Sequence, residues 1–293
     1  MSLSVWQAAV LGLVEGITEY LPISSTGHLI LASSLMGLDT PDRKDAIDAF
    51  NIVVQGGAIL AVLGLYLPRC VGMVRGVLGR DGAGLRLLVN LVIAFIPAGV
   101  LGVLLDKTLE RYLFHPGPVL AAVLLGGVYM MLADAWRAGR FGPWAAAQRN
   151  AEIDDITPKQ ALVIGLMQCV AMWPGTSRSM MTITAGMFVG LKPRAAAEFG
   201  FLLGLPTLGG ATVYKLVKNL AQAESNGGNL FQKLGVAPVL VGMLVAAFSA
   251  AIAVKWLVGF LNRHGLTPFG WYRVALFAVM LGLVLSGGLT IAK

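Results

Sequence analysis

Apolar segments close to twenty residues long recur from one end of the chain to the other. Six of them run unbroken, at about 48–67, 86–105, 117–136, 196–217, 237–258 and 271–290. Each is long enough to cross the ~30 Å hydrocarbon core of a bilayer as a helix. In lipid every backbone N–H and C=O must find its partner inside the protein, so only helices and closed barrels can span. Continuous apolar runs of this length, without alternation, are helical. The expected fold class is therefore an all-α polytopic membrane protein with six transmembrane helices. Composition agrees: 57% of the 293 residues are hydrophobic and 13% are charged, against about 25% charged in a soluble domain. The net charge of +7 is then a matter of loop topology, with no nucleic acid as partner. Cys70 and Cys169 lie in or beside apolar segments and show neither metal-ligand nor disulfide spacing. No basic stretch precedes the first apolar segment, so a cleavable signal peptide is not expected.

Two further apolar stretches, 5–37 and 159–191, do not read as simple spans, because Pro22 breaks the first and Pro174-Gly175 the second. Proline ends or kinks a helix, since it lacks an N–H and crowds the preceding turn. The arm that follows the first break, 27–37, has room for roughly 16 Å of helix, about half the core. Both stretches are expected to be re-entrant helical hairpins whose tips stop near mid-membrane. The chain also resembles itself: "AVLGLVEGITEYLPISSTGH" can be laid against "ALVIGLMQCVAMWPGTSRS", and each is followed by three spans. Three is odd, so the second half enters from the opposite face, the inverted-repeat arrangement with functional groups at broken helices. The expectation is one integral membrane domain over 1–293, with repeats at about 1–136 and 159–290 joined by the polar connector 137–158.

Basic residues orient such a chain. On this topology eight lie on the N-terminal face and thirteen, Arg273 among them, on the other, with Arg178 inside the second hairpin. The excess marks the second face as cytoplasmic and places both termini outside.

The polarity of the hairpins is what packing does not require. Glu15 and Glu19, four apart, share one helix face. A carboxylate at membrane depth costs at least ~2.5–3.5 kcal/mol, so two together call for a cation, water or a shared proton. After Pro22 come Ser24, Ser25, Thr26, Gly27 and His28. One of these hydroxyls serves as a helix cap. Three in succession beside a carboxylate and an imidazole form the layout of an activated nucleophile. The second tip, Trp173 to Ser179, carries Thr176, Ser177, Arg178 and Ser179 at a helix start. Helix N-termini bind anions, and a guanidinium adds a planar fork suited to phosphate. Pairing of Arg178 with Glu15 or Glu19 is compatible with that use in a different state. Tips that meet would suit a phosphate or diphosphate, with a divalent cation, Mg²⁺ or Ca²⁺, bridging Glu15 and Glu19 to the phosphate oxygens. Gln55 and Glu198 occupy corresponding places at the starts of spans in the two halves, where either cavity lining or packing accounts for them.

With these residues assembled, the chain resembles the bacterial undecaprenyl-diphosphate phosphatases of the bacitracin-resistance type. The resemblance covers nearly the whole chain. It is carried by "VEGITEYLPISSTGH" (14–28), "VVQGGAILAV" (53–62), "QCVAMWPGTSRS" (168–179) and "AAAEFGFLL" (195–203). It implies an active site of Glu15, Glu19, Ser25, His28, Ser177 and Arg178, open to the external face of the bacterial plasma membrane. It also implies hydrolysis of C55 isoprenyl diphosphate to the monophosphate and phosphate, which recycles the lipid carrier of peptidoglycan synthesis. Thr176 departs from the family pattern, in which a bulkier residue is common. Within that frame the catalytic set is Ser25, Glu19, His28 and Arg178, with Glu19 and His28 both candidates for the base. Ser24, Thr26, Thr176, Ser177, Ser179 and Gln55 are the expected substrate contacts, and Glu15 with Glu19 the metal ligands. The partners are the polyprenyl diphosphate and the bilayer; a homodimer remains open. The type-2 phosphatidic acid phosphatases also use SGH and SR elements, but they need a His and an Asp downstream, and "SMMTITAGMFVGL" has neither. An inverted-repeat transporter or flippase is the competing class. An intramembrane serine protease would leave Arg178 and the glutamate pair without a purpose.

Overall fold

A computed structural model describes residues 3–38, 40, 44–140, 150–221 and 228–287. Among the described residues the chain forms twelve α-helices and no strand; the backbone pairs once in strand fashion, Ala151 with Leu191. Six helices carry stretches long and apolar enough to cross a membrane: α3 (Lys44–Leu65), α5 (Gly82–Leu113), α6 (Pro116–Arg137), α9 (Pro193–Ala221), α11 (Val236–His264) and α12 (Thr267–Leu285). They fall on the six expected segments. The last begins and ends earlier than hydropathy suggests because Pro268 starts the helix, a position where its missing N–H is no loss. Large apolar side chains such as Val103, Leu244 and Phe248 are exposed on these helices, as lipid-facing positions should be.

The two broken stretches are pairs of short helices: α1 (Val5–Thr18) with α2 (Ser25–Leu35), and α7 (Pro158–Gln168) with α8 (Arg178–Phe188). Helix α1 stops at Thr18, four residues ahead of Pro22, where the proline ring would meet the residue-18 carbonyl. In the second pair the chain tightens into a 3₁₀ turn, Cys169–Met172, before Pro174. Each second arm has 11 residues, roughly 16 Å. Two short helices, α4 (Leu67–Val77) and α10 (Leu230–Leu234), were not expected. Pro68 starts the first, and a capping box of Asn229 and Gln232 starts the second.

Helix α1 packs along α11, and α7 packs along α5. Both seams are closed by glycine. A Cβ on Gly12 would collide with the Gly242 carbonyl, one on Gly16 with Ser249 Oγ and the Ala246 carbonyl, and one on Gly165 with the Ala94 carbonyl. Small residues let helix backbones approach where no hydrophobic effect drives association. Gly16→Val should destabilise the fold by about 3 kcal/mol, the upper range for overpacking. Thermal melting of the detergent-solubilised variant reads this loss directly.

One correction bears on topology. Arg273, counted above as a loop charge, is fully buried within α12. Without it the second face keeps twelve of its thirteen basic residues against eight. Lys293 and Arg149, at the C-terminus and in the connector, lie outside the described residues.

Candidate active site

The two breaks meet. Ser179 Oγ donates to the Leu21 carbonyl at 2.9 Å, tying the start of α8 to the turn that ends the first break. Ser24 and Ser177 are the N-caps of α2 and α8, and each accepts from the amide three residues on, Gly27 and Met180, at 3.3 Å. Among the described residues they alone combine a side chain with positive φ, 73° and 76°. Such a conformation costs about 1–3 kcal/mol, and the cap returns about 1 kcal/mol. What the bend achieves is placement: the first residues of both helices, Ser25 and Arg178, come to one carboxylate, that of Glu19. The residue after each bent serine opens its helix, Ser25 in the first tip and Arg178 in the second.

Glu19 joins them. It stands at the C-cap of α1, still helical, with its N–H bonded to the Glu15 carbonyl, so the two glutamates do share a face. A carboxylate at a helix C-terminus is opposed by the helix dipole and needs compensation. It finds it on both oxygens: Ser25 Oγ donates to Glu19 Oε2 at 2.7 Å, and Arg178 Nη2 lies 3.5 Å from Glu19 Oε1. The side chains of Arg178 and Glu19 are only 10% and 6% exposed. Arg178 Nη1 donates to the Gly200 carbonyl at 2.9 Å, and its guanidinium lies over the Tyr20 ring at 5.6 Å. Its Nε and Nη2 have no hydrogen-bond partner. Nε is therefore free for an anion, and Nη2 is held only by its 3.5 Å contact with Glu19. Gly204 makes the seat, since a Cβ there would stand 3.0 Å from Arg178 Nη1.

Glu15 is buried one turn before Glu19, and its Oε2 is left without a hydrogen-bond partner. An orphaned carboxylate oxygen four residues from a second carboxylate is a fit for Mg²⁺, which binds through one or two carboxylates and completes its shell with phosphate and water. Among the described residues no group of three or more His, Cys, Asp or Glu side chains gathers for a metal.

Both ring nitrogens of His28 contact groups other than Ser25. Its Nδ1 lies 2.7 Å from the Ser24 carbonyl and its Nε2 2.7 Å from the Tyr272 hydroxyl. Thr26 is half-buried in the first turn of α2, and Thr176 is buried. Ser179 is buried and gives its proton to Leu21, so the hydroxyl of Ser177, 3.0 Å away, is the donor to it. Ser179 thus holds tip to tip. Glu198 does not join the site; it pairs with Arg69, which also holds Asp154. Sequence reasoning missed Tyr272, Arg273 and the glycines under Arg178. An arginine inside an apolar span, where ionisable residues are expensive and functional, was the available signal.

The model of the bacitracin resistance protein BacA family matches residues 8–279. The chain belongs to that family. It is 44% identical over 279 residues to an undecaprenyl-diphosphatase of Sorangium cellulosum, covering 95% of this chain and 86% of that one. It is 45% identical over 281 residues to undecaprenyl-diphosphatase 2 of Rhodospirillum rubrum, with 96% and 95% covered. An undecaprenyl-diphosphatase of Acidovorax ebreus is 41% identical over 292 residues, with 100% and 99% covered. The BacA match takes in both breaks, so Glu19, Ser25 and Arg178 all lie inside it.

Proposed function

We propose that this chain is a membrane phosphatase that hydrolyses undecaprenyl diphosphate to undecaprenyl phosphate and inorganic phosphate, returning the lipid carrier to peptidoglycan synthesis and so countering bacitracin. The observation that carries this reading is the single carboxylate of Glu19 between a nucleophile and a phosphate-binding cation. Ser25 Oγ attacks the terminal phosphorus as its proton passes to Glu19 Oε2. The bond from that phosphorus to the bridging oxygen breaks, and undecaprenyl phosphate leaves with the electron pair. Water then attacks the phosphoserine, releasing phosphate and restoring the Ser25 hydroxyl as a proton returns from Glu19. The Arg178 guanidinium and the N–H groups at the starts of α2 and α8 hold the phosphoryl oxygens as charge builds on them. Glu15 and Glu19 would hold a divalent cation, which supplies neutralisation of diphosphate charge. His28, engaged through both nitrogens, is not the group that receives the Ser25 proton; Glu19 is.

The site belongs, in this reading, to a bacterial plasma-membrane protein and opens to the external face, with the two short-helix pairs re-entering the bilayer. The remaining twelve-to-eight excess of basic residues supports that orientation. An inverted repeat, 1–136 against 159–290, accounts for the matched pairs of seams and for the two bent serines at equivalent places. A transporter needs no serine activated by a carboxylate, so the enzyme reading is preferred.

Purified protein in detergent, with no gradient, should release phosphate from C55 diphosphate, and should lose activity to chelator and regain it with Mg²⁺ or Ca²⁺. Absence of phosphate release favours the transporter. Full activity in excess chelator removes the cation from the scheme.

A further inference from the structure

Helix α12 contributes no group to the scheme above, yet two consecutive residues on it touch both tips. Arg273 is fully buried. Its Nε donates to the Val123 carbonyl at 3.1 Å and its Nη2 to that of Ala122 at 2.8 Å, both on α6. The other side of the fork reaches the second break: Nη2 to the Gly175 carbonyl at 2.7 Å and Nη1 to the Thr176 carbonyl at 3.1 Å. No carboxylate pairs with it among the described residues. The α6 carbonyls already serve helix bonds and lend a second lone pair, which is reachable because residue 126 is glycine: a Cβ there would collide with Arg273 Nη2. The Gly175 and Thr176 carbonyls have no helix to satisfy them, and a buried carbonyl without a partner is costly. They come immediately before the bent Ser177 and Arg178.

Tyr272 reaches the first tip. Its hydroxyl lies 2.7 Å from His28 Nε2, and the two rings are parallel within 7° at 5.6 Å. A carbonyl can only accept, so the Nδ1 that faces the Ser24 carbonyl carries a proton. The neutral ring then presents the Nε2 lone pair, and the Tyr272 hydroxyl is its donor. His28 is thereby fixed against the carbonyl of the other bent serine, immediately before Ser25.

We propose that the Tyr272–Arg273 pair of α12 is a positioning element that sets the register of the two tips: Arg273 fixes the carbonyls ahead of Arg178, and Tyr272 fixes His28 and, through it, the carbonyl ahead of Ser25. The proposal rests on the phosphatase reading for its kinetic readout. Wild-type turnover therefore serves as the separate check on that reading: no phosphate release by wild type defeats the reading, not the register.

The test is a comparison of Tyr272→Phe, Arg273→Lys, Arg178→Lys and the Arg178→Lys/Arg273→Lys double variant. Each is the full chain in one detergent, assayed for phosphate release from a polyprenyl diphosphate and for thermal melting. Tyr272→Phe keeps the ring against His28 and removes only the donor. It should melt near wild type, with kcat lower by about tenfold and KM nearly unchanged, the effect expected of one lost directional hydrogen bond. Arg273→Lys cannot reach carbonyls on both segments at once and should lose more. If Arg273 acts through Arg178, its replacement should add little to the loss already caused by Arg178→Lys. Wild-type kcat in Tyr272→Phe, a rise confined to KM, or losses that multiply in the double variant would each overturn the proposal. The tyrosine arm decides the matter even if the arginine variants fail to fold.

Discussion

Ser25→Ala should abolish phosphate release while lipid diphosphate still binds, with kcat reduced by at least ~10³-fold, as when a covalent nucleophile is removed from a unit that works together. The ground is the 2.7 Å bond from Ser25 Oγ to Glu19 Oε2, which both activates the hydroxyl and aims it. Binding should persist because Arg178 and the two helix starts are untouched by the change. Ser24→Ala is the control. It removes a cap worth about 1 kcal/mol and relieves no chemistry, so it should lower melting temperature more than kcat. Turnover measured for both variants, beside binding of a non-hydrolysable diphosphate, separates the outcomes. Substantial turnover in Ser25→Ala means that water or another hydroxyl attacks and no phosphoserine forms.

Arg178→Lys should lose about 10²–10³-fold in kcat, the usual result of removing one preorganised donor to a developing anion. Lysine keeps the charge. It cannot reproduce a guanidinium that at once donates to the Gly200 carbonyl, stacks over Tyr20, faces Glu19 and leaves Nε unpaired. The ammonium would satisfy itself on the Gly200 carbonyl or Glu19 and leave the phosphoryl group unheld. Near wild-type turnover in this variant would reject the fork as the device that holds the transferring group, even with Ser25 confirmed as nucleophile.

Much of this was legible before any coordinates. Hydropathy located the six spans, because a helix in lipid must be apolar over a fixed length. Pro22 and Pro174 located the breaks, and polarity without a packing reason pointed to Glu15, Glu19, Ser25 and Arg178, which the structure places beside those breaks. What escaped notice has a common cause: residue order reports how deep a side chain lies but not which way it points around the helix. Arg273 follows Trp271 and Tyr272 at the edge of an apolar run, where it counts as a loop charge. Only the rotation of α12 puts it against the second tip. Ser179 and Ser177 look alike in sequence, and the bend at Ser177 sends one hydroxyl into a tip-to-tip bond. His28 next to three hydroxyls reads, like Glu19, as a candidate base; its ring lies between the Ser24 carbonyl and Tyr272, contacts that residue order does not show. Glu198 mirrors Gln55 in sequence, and Arg69 claims it.

The glycine seam of α1 makes chain length itself part of the site. Gly12 and Gly16 lock the helix against α11 at backbone contact, so α1 cannot slide or turn to absorb a change further along. Glu19 lies three positions after Gly16, less than one turn of helix. An insertion or deletion of one residue in that step would swing Glu19 through about 100°, off the line between Ser25 and Arg178. Every site residue would still be present in an alignment, and the enzyme would be dead.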